Sequence, residues 1–297
     1  MYAKAISQLD WISDSIFIPD LNSFLICVNN KIYKKDLDGR PPYLYIQAGK
    51  FGNMHGKSFI YSKKSKKLVV IKDFKHFVIL NPVKRKIELR LEGISKGSRA
   101  QIDNNIADFA LFGRREQRLV SITDSGVLSF YNFGKASGRV VDRYRVGGVK
   151  DLIAAQKSIA VCSQNRYIFV MLVLVENQFL LQGYEIMSKK SSSSSRNSRA
   201  LNLELQHRLY YCCQDFGCLA DATFAFCRYY RGFATVILFG RSYGLLMVVG
   251  RDPDGGLKVI EAKKIPNYSK YPLKIEKLGN HFYYTGDEAN LVRFQIY

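Results

Sequence analysis

The sequence holds one tryptophan, four histidines and seven prolines in 297 residues, and acid is scarce, with 25 Asp and Glu against 45 Lys and Arg. Its longest apolar run, Tyr167–Val175, is bounded by Arg166 and Glu176. A bilayer-spanning helix needs ~20 residues, so this run is expected to be a buried strand of a soluble protein. The six cysteines (27, 162, 212, 213, 218 and 227) do not have the spacing of a secreted disulfide framework, and no signal peptide is recognised at the N-terminus. A reducing, intracellular location, cytoplasmic or nuclear, is therefore expected.

Catalytic signatures are missing as well. His55, His76, His207 and His281 stand in no spacing that suggests a nucleophilic triad or a metal-binding helix. Cys212, Cys213, Cys218 and Cys227 lack the second close pair that a zinc site needs. Gly134–Gly138 and Gly147-Gly148 are turn glycines, with no Lys-Ser/Thr pair opening a helix behind them. The expectation is a protein that is no enzyme and has no cofactor, metal or small-molecule substrate.

What is present is a repeated strand pattern. Helical periodicity is nearly absent, and short runs of Val, Ile, Leu, Phe and Tyr alternate with Gly, Asp, Asn, Ser and Lys. One unit recurs: an apolar strand, a polar turn and a second apolar or aromatic strand. It spans Phe24–Leu37, Leu68–Pro82, Leu119–Phe133, Ile159–Leu174, Thr235–Gly250 and His281–Ile296. The starts are 44, 51, 40, 76 and 46 residues apart, and propeller blades run ~40–50 residues.

Flanking strands are expected at Ser15–Pro19, Tyr43–Gln47, Lys57–Tyr61, Lys86–Leu91, Ala107–Phe112, Arg139–Val146, Lys150–Ala154, Gln178–Met187, Asp221–Cys227, Leu257–Lys263 and Leu273–Lys277. The 76-residue interval contains the tract Ser191–Ser195. Such a tract cannot bury enough apolar surface to offset its ordering entropy. A flexible Ser-rich insertion at about 188–200 is expected, with Leu201–Cys213 either extra strand material or a weak further blade. The last unit lacks an outer strand, while Tyr2–Leu9 has no blade of its own. Pairing of Tyr2–Leu9 along Asn290–Ile296 would close the ring and remove an exposed edge.

The third unit carries a family resemblance. Asp108 precedes an apolar strand, Thr123-Asp124-Ser125-Gly126 reads as a tight turn, and Val127–Asn132 alternates with an aromatic near its end. Thr285-Gly286-Asp287-Glu288 before Leu291–Phe294 is similar, and Tyr33–Leu37 keeps an aromatic and an acid near its end. This pattern resembles the WD-repeat β-propeller superfamily, without its Gly-His and Trp-Asp pairs; the one tryptophan, Trp11, precedes the first unit. The expected fold is all-β: a single β-propeller over residues 1–297, of six to seven four-stranded blades, closed by its N- and C-terminal strands.

The net charge of +20 is uneven. Between Lys57 and Arg99 there are 13 basic and 3 acidic residues, so about a seventh of the chain carries half the excess. Lys63, Lys64, Lys66 and Lys67 fall on the first connection of the second unit, and Lys84, Arg85 and Lys86 on its next connection. Arg114, Arg115 and Arg118 occupy the first connection of the third unit. Corresponding turns of neighbouring blades share a face, which predicts one basic rim.

Three partner classes follow, in order. The first is an acidic protein surface, the chain being a non-catalytic interaction scaffold within a larger assembly. The second is RNA in a ribonucleoprotein assembly. The third, and weakest, is anionic lipid. The paired-arginine-glycine motif of phosphoinositide-binding propellers is not matched by Arg228-Tyr229-Tyr230-Arg231-Gly232, where two tyrosines separate the arginines.

Overall fold

The computed structural model describes residues 12–28, 31–46, 59–72, 75–92, 105–113, 115–123, 126–133, 139–145, 155–164, 167–174, 178–188, 201–212, 223–230, 233–239, 244–251, 253–254, 257–265, 272–278, 281–286 and 291–294. They form six antiparallel sheets, each built from strands consecutive in sequence. The first sheet holds β1 (Ile12–Ile18), β2 (Ser23–Val28), β3 (Lys31–Asp36) and β4 (Tyr43–Ile46), with a single 3-10 turn, Pro19–Leu21, between β1 and β2. The second holds β5 (Phe59–Ser62), β6 (Lys67–Lys72), β7 (His76–Asn81) and β8 (Lys86–Glu92). The third holds β9 (Ile106–Phe112), β10 (Arg118–Thr123), β11 (Val127–Asn132) and β12 (Arg139–Arg145).

The fourth sheet holds β13 (Ala155–Gln164), β14 (Tyr167–Leu174), β15 (Gln178–Ser188) and β16 (Leu201–Cys212). The fifth holds β17 (Thr223–Tyr230), β18 (Phe233–Phe239), β19 (Gly244–Arg251) and β20 (Leu257–Ile265). The sixth holds β21 (Pro272–Leu278), β22 (His281–Gly286) and β23 (Leu291–Phe294).

The first strands of successive sheets lie against one another, from β1 through β5, β9, β13 and β17 to β21, and β21 lies against β1. Each sheet is thus a blade running from the centre outwards. Packing between blades explains the sequence pattern. In β6, Leu68 and Val70 join the core shared with the first blade, while Val69 and Ile71 join the core shared with the third. Both faces of the strand are covered, so it reads as a continuous apolar run. The outer strand β8 has only partial cover and alternates along Lys86-Ile87-Glu88-Leu89-Arg90-Leu91, with its charged residues exposed.

Rings lock the seam between the second and third blades. Phe77 meets Phe109 and Tyr131 edge to face, at 5.2 and 5.4 Å between centroids. Truncating a fully buried phenylalanine of this kind costs about 3–5 kcal/mol. In all five four-stranded blades the third and fourth strands pair with a register shift. Shifts of this kind bend a strand and increase its twist.

The fourth unit departs from expectation. Its hairpin, Ile159–Leu174, falls on the first and second strands of its blade, whereas the other five fall on the second and third. Counted from second strands, which begin at 23, 67, 118, 167, 233 and 281, the spacings are 44, 51, 49, 66 and 48. Ten residues of the 76-residue interval are therefore this change of frame, and the 66-residue spacing that remains is still the longest. Leu201–Cys212 is no seventh blade: it pairs along β15 from Gln178↔Cys212 to Ser188↔Leu201 as the outer strand of the fourth. Six sheets form among the described residues.

The strand expected at Lys150–Ala154, the Ser-rich tract and the closing strand Tyr2–Leu9 lie outside the described residues. Within them, β23 has no fourth strand beside it. No helix among the described residues is long and apolar enough to cross a membrane.

Candidate interaction face

Consecutive antiparallel strands place the connections from first to second and from third to fourth strand at one end of every blade. The turns β5–β6, β7–β8 and β9–β10 therefore open onto one face, together with β1–β2 and β3–β4 of the first blade. The end of β15 and the start of β16 lie on this face too. Of the ten cations expected here, nine are described, and Arg114 lies outside the described residues.

Contact between neighbouring blades is direct. The Glu116 carboxylate of the β9–β10 turn reaches into the β5–β6 turn, where Oε2 accepts from Ser62 Oγ at 3.1 Å and from Lys64 N at 3.4 Å. The turn is tied internally by Ser65 N donating to Ser62 Oγ at 3.0 Å. Towards the first blade, Lys66 Nζ pairs with Asp20 Oδ1 at 2.7 Å, and the Tyr61 hydroxyl donates to Asp20 Oδ2. The Lys66 ammonium, and then the Tyr61 hydroxyl, hold the Asp20 carboxyl below the usual range. Burial, and then the Asp20 bond, push the Tyr61 hydroxyl up.

In the second blade, Lys67 faces Glu88 Oε2. Its ammonium nonetheless sits below its ordinary value, because burial disfavours the charge and Lys84 repels it. Beyond it, Lys84 N donates to Asn81 Oδ1 at 3.0 Å at the start of the β7–β8 turn. The Arg85 guanidinium lies 4.2 Å from the ring centroid of Tyr45, whose hydroxyl donates to Pro82 O at 3.0 Å. Arg118 lies 5.9 Å from the ring centroid of Phe112. Lys63, Lys84, Lys86 and Arg115 are exposed and have no carboxylate partner among the described residues.

The turns share a backbone device. Asn22, Lys66, Arg85 and Glu116 have φ of 49, 55, 55 and 49° in the turns that lead into β2, β6, β8 and β10. This left-handed geometry costs an L residue with a side chain roughly 1–2 kcal/mol. Asparagine tolerates it, whereas lysine, arginine and glutamate do not favour it. Three charged side chains are thus held on this face by a backbone that glycine would adopt more easily.

Sequence reasoning did not identify Asp20, Glu88 and Glu116 as internal counter-charges, nor Tyr45 as the platform under Arg85. A comparison of equivalent turns carries the one available signal, since Asp20 and Glu116 sit in the same first connection as Lys63–Lys67. The two described cysteine candidates lie on strands of different blades. Cys212 ends the outer strand of the fourth blade, Cys227 lies on the inner strand of the fifth, and Cys213 and Cys218 lie outside the described residues. No cluster of three or more potential metal ligands occurs among the described residues. Arg228-Tyr229-Tyr230 ends β17, and Arg231 and Gly232 lie outside the described residues.

The chain matches no known protein family by sequence, and no curated protein. In structure it is similar to the β-propeller domain of Myceliophteria thermophila Cps50 (Swd1), with a TM-score of 0.57 at 11% identity over 96% of this chain and 84% of that one. It is also similar to BBS1N, crystallised in complex with ARL6DN, with a TM-score of 0.53 at 12% identity over 95% of this chain and 76% of that one. The chain has a β-propeller fold.

Proposed function

We propose that this propeller is a non-catalytic interaction scaffold, an intracellular subunit of a larger assembly, which contacts an acidic protein partner through its basic face. The observation that carries this reading is the division of the charges. Asp20, Glu88 and Glu116 engage the edges of the cluster, while Lys63, Lys84, Lys86 and Arg115 stand exposed without an acid of their own among the described residues. A field of one sign on one face favours and steers an oppositely charged partner. The propeller neighbours add support at the level of fold, and BBS1N was crystallised with a protein partner.

The test is purification of the tagged chain under native conditions, with and without nuclease. A stoichiometric protein partner that survives nuclease, and is lost from a variant carrying Lys63→Glu, Lys84→Glu, Lys86→Glu and Arg115→Glu, is the expected result. Loss of all partners on nuclease treatment would instead favour the ribonucleoprotein alternative. A lone monomer at physiological salt refutes both readings.

A further inference from the structure

The side chains around this face distinguish between kinds of acidic partner. Single-stranded nucleic acid binds where bases can stack on open aromatic rings beside the cations. Among the described residues, the rings that flank these turns are buried or partly covered. Tyr45 is 7% exposed beneath Arg85, and Tyr61 is 8% exposed with its hydroxyl bonded to Asp20. Lys34 Nζ sits 5.7 Å from the ring centroid of half-buried Tyr43, and Phe112 is buried beside Arg118.

The exposed apolar surface here is aliphatic. Leu37 in the β3–β4 turn is 50% exposed and Val83 in the β7–β8 turn 51%. A single exposed aliphatic residue is ordinary. These two occupy the same connection of adjacent blades, and Val83 directly precedes Lys84, Arg85 and Lys86. The Arg85 guanidinium lies over a ring whose hydroxyl is tied to the same turn. A planar fork loses little freedom when it takes up a carboxylate.

Building on the function proposed above, we infer that the β3–β4 and β7–β8 turns form a docking site for an acidic protein segment bearing aliphatic side chains. Leu37 and Val83 supply the apolar contact. Lys84, Arg85 and Lys86 supply the charge contact, with Arg85 as the carboxylate receptor.

Fluorescence anisotropy with the full chain tests this. Three probes are compared: a labelled peptide with leucines set among glutamates, the same peptide with serines for leucines, and a labelled oligouridine. The leucine peptide should bind about five- to tenfold more tightly than the serine peptide, as expected for covering one or two half-exposed aliphatic residues. Val83→Asp, melting as the parent does, should abolish that preference. Lys63→Glu with Arg115→Glu should weaken both peptides alike and leave the preference intact.

Equal binding of the two peptides, each weakened by the charge reversals, overturns this inference alone and leaves the acidic-protein reading standing. Tighter binding of oligouridine than of either peptide overturns both. Failure of every probe to bind overturns the docking site.

Discussion

Asp14 offers a sharp test of how the blades are joined. It lies on the innermost strand of the first blade, 1% exposed. Its Oδ1 accepts from Ser15 N at 2.7 Å, and its Oδ2 accepts from Phe59 N at 2.8 Å, on the innermost strand of the second blade. One carboxylate therefore accepts two buried backbone donors on two blades. Hydrogen bonds to a charged group contribute about 1.5–3 kcal/mol each, and a buried donor left without an acceptor costs about 1–3 kcal/mol.

Asp14→Ala removes the carboxylate that both N–H groups meet. The expected loss is about 3–5 kcal/mol, a large part of the ~5–15 kcal/mol that holds a typical domain. Asp14→Asn keeps one acceptor and turns an amide nitrogen towards the other donor, so its loss should fall between alanine and the parent. Urea unfolding followed by far-UV circular dichroism measures both, and the slope reports whether the transition stays cooperative. A loss below about 1 kcal/mol for Asp14→Ala, or an asparagine variant as stable as the parent, would refute the staple.

Three further outcomes are expected. The Asp20 and Asp36 carboxyls are held low, first by the ammonium groups of Lys66 and Lys34 and then by the hydroxyls of Tyr61 and Ser23. Their contribution is therefore complete above the ordinary carboxylate value of about 4 and is lost as pH falls through the lowered values, so Lys66→Ala should shrink the acid-side fall in thermal midpoint. Lys66→Gly relieves a positive φ and gives up only an exposed pair, so it should hold or raise stability by up to about 1 kcal/mol, whereas Lys66→Val should lower it by about 1–2 kcal/mol, both read by urea titration. We propose that Tyr2–Leu9 closes the ring along Asn290–Ile296, so deleting it should lower the melting temperature of the whole domain; a truncation that melts like the intact chain shows that the ring is not closed by that segment.

The second and third strands of the second and third blades were legible because they are sandwiched between neighbours. Leu68–Ile71 and Phe77–Leu80 are buried throughout, so the pattern shows as unbroken apolar runs on either side of a polar turn. The same rule misled in the fourth blade. There the inner strand carries Ile159-Ala160-Val161-Cys162 and pairs with β14, which mimics a second–third hairpin and moves the frame by one strand. Outer strands such as Lys86–Glu92, half exposed and rich in charge, give the weaker alternation of a surface strand. They could be placed only once the period was known.

The interaction face was legible as an address and not as a charge distribution. That Lys63–Lys67, Lys84–Lys86 and Arg114–Arg118 belong to turns at one end of the blades follows from strand order. Which of those cations keep an open charge depends on partners far away in the chain. Glu116 reaches Ser62 across 54 residues, and Tyr61 reaches Asp20 across 41. Nor does any glycine mark the left-handed positions at Lys66, Arg85 and Glu116; only Asn22 carries a residue suited to that backbone. Sequence therefore weighs ten cations equally, whereas the folded chain divides them. Lys66 and Lys67 face acids of its own, Arg85 lies over the Tyr45 ring, and Lys63, Lys84, Lys86 and Arg115 are exposed with no acid partner among the described residues. Charge reversal at the last group should therefore weaken binding without disturbing the fold, while reversal at Lys66 or Lys67 should disturb the contacts with Asp20 and Glu88 as well.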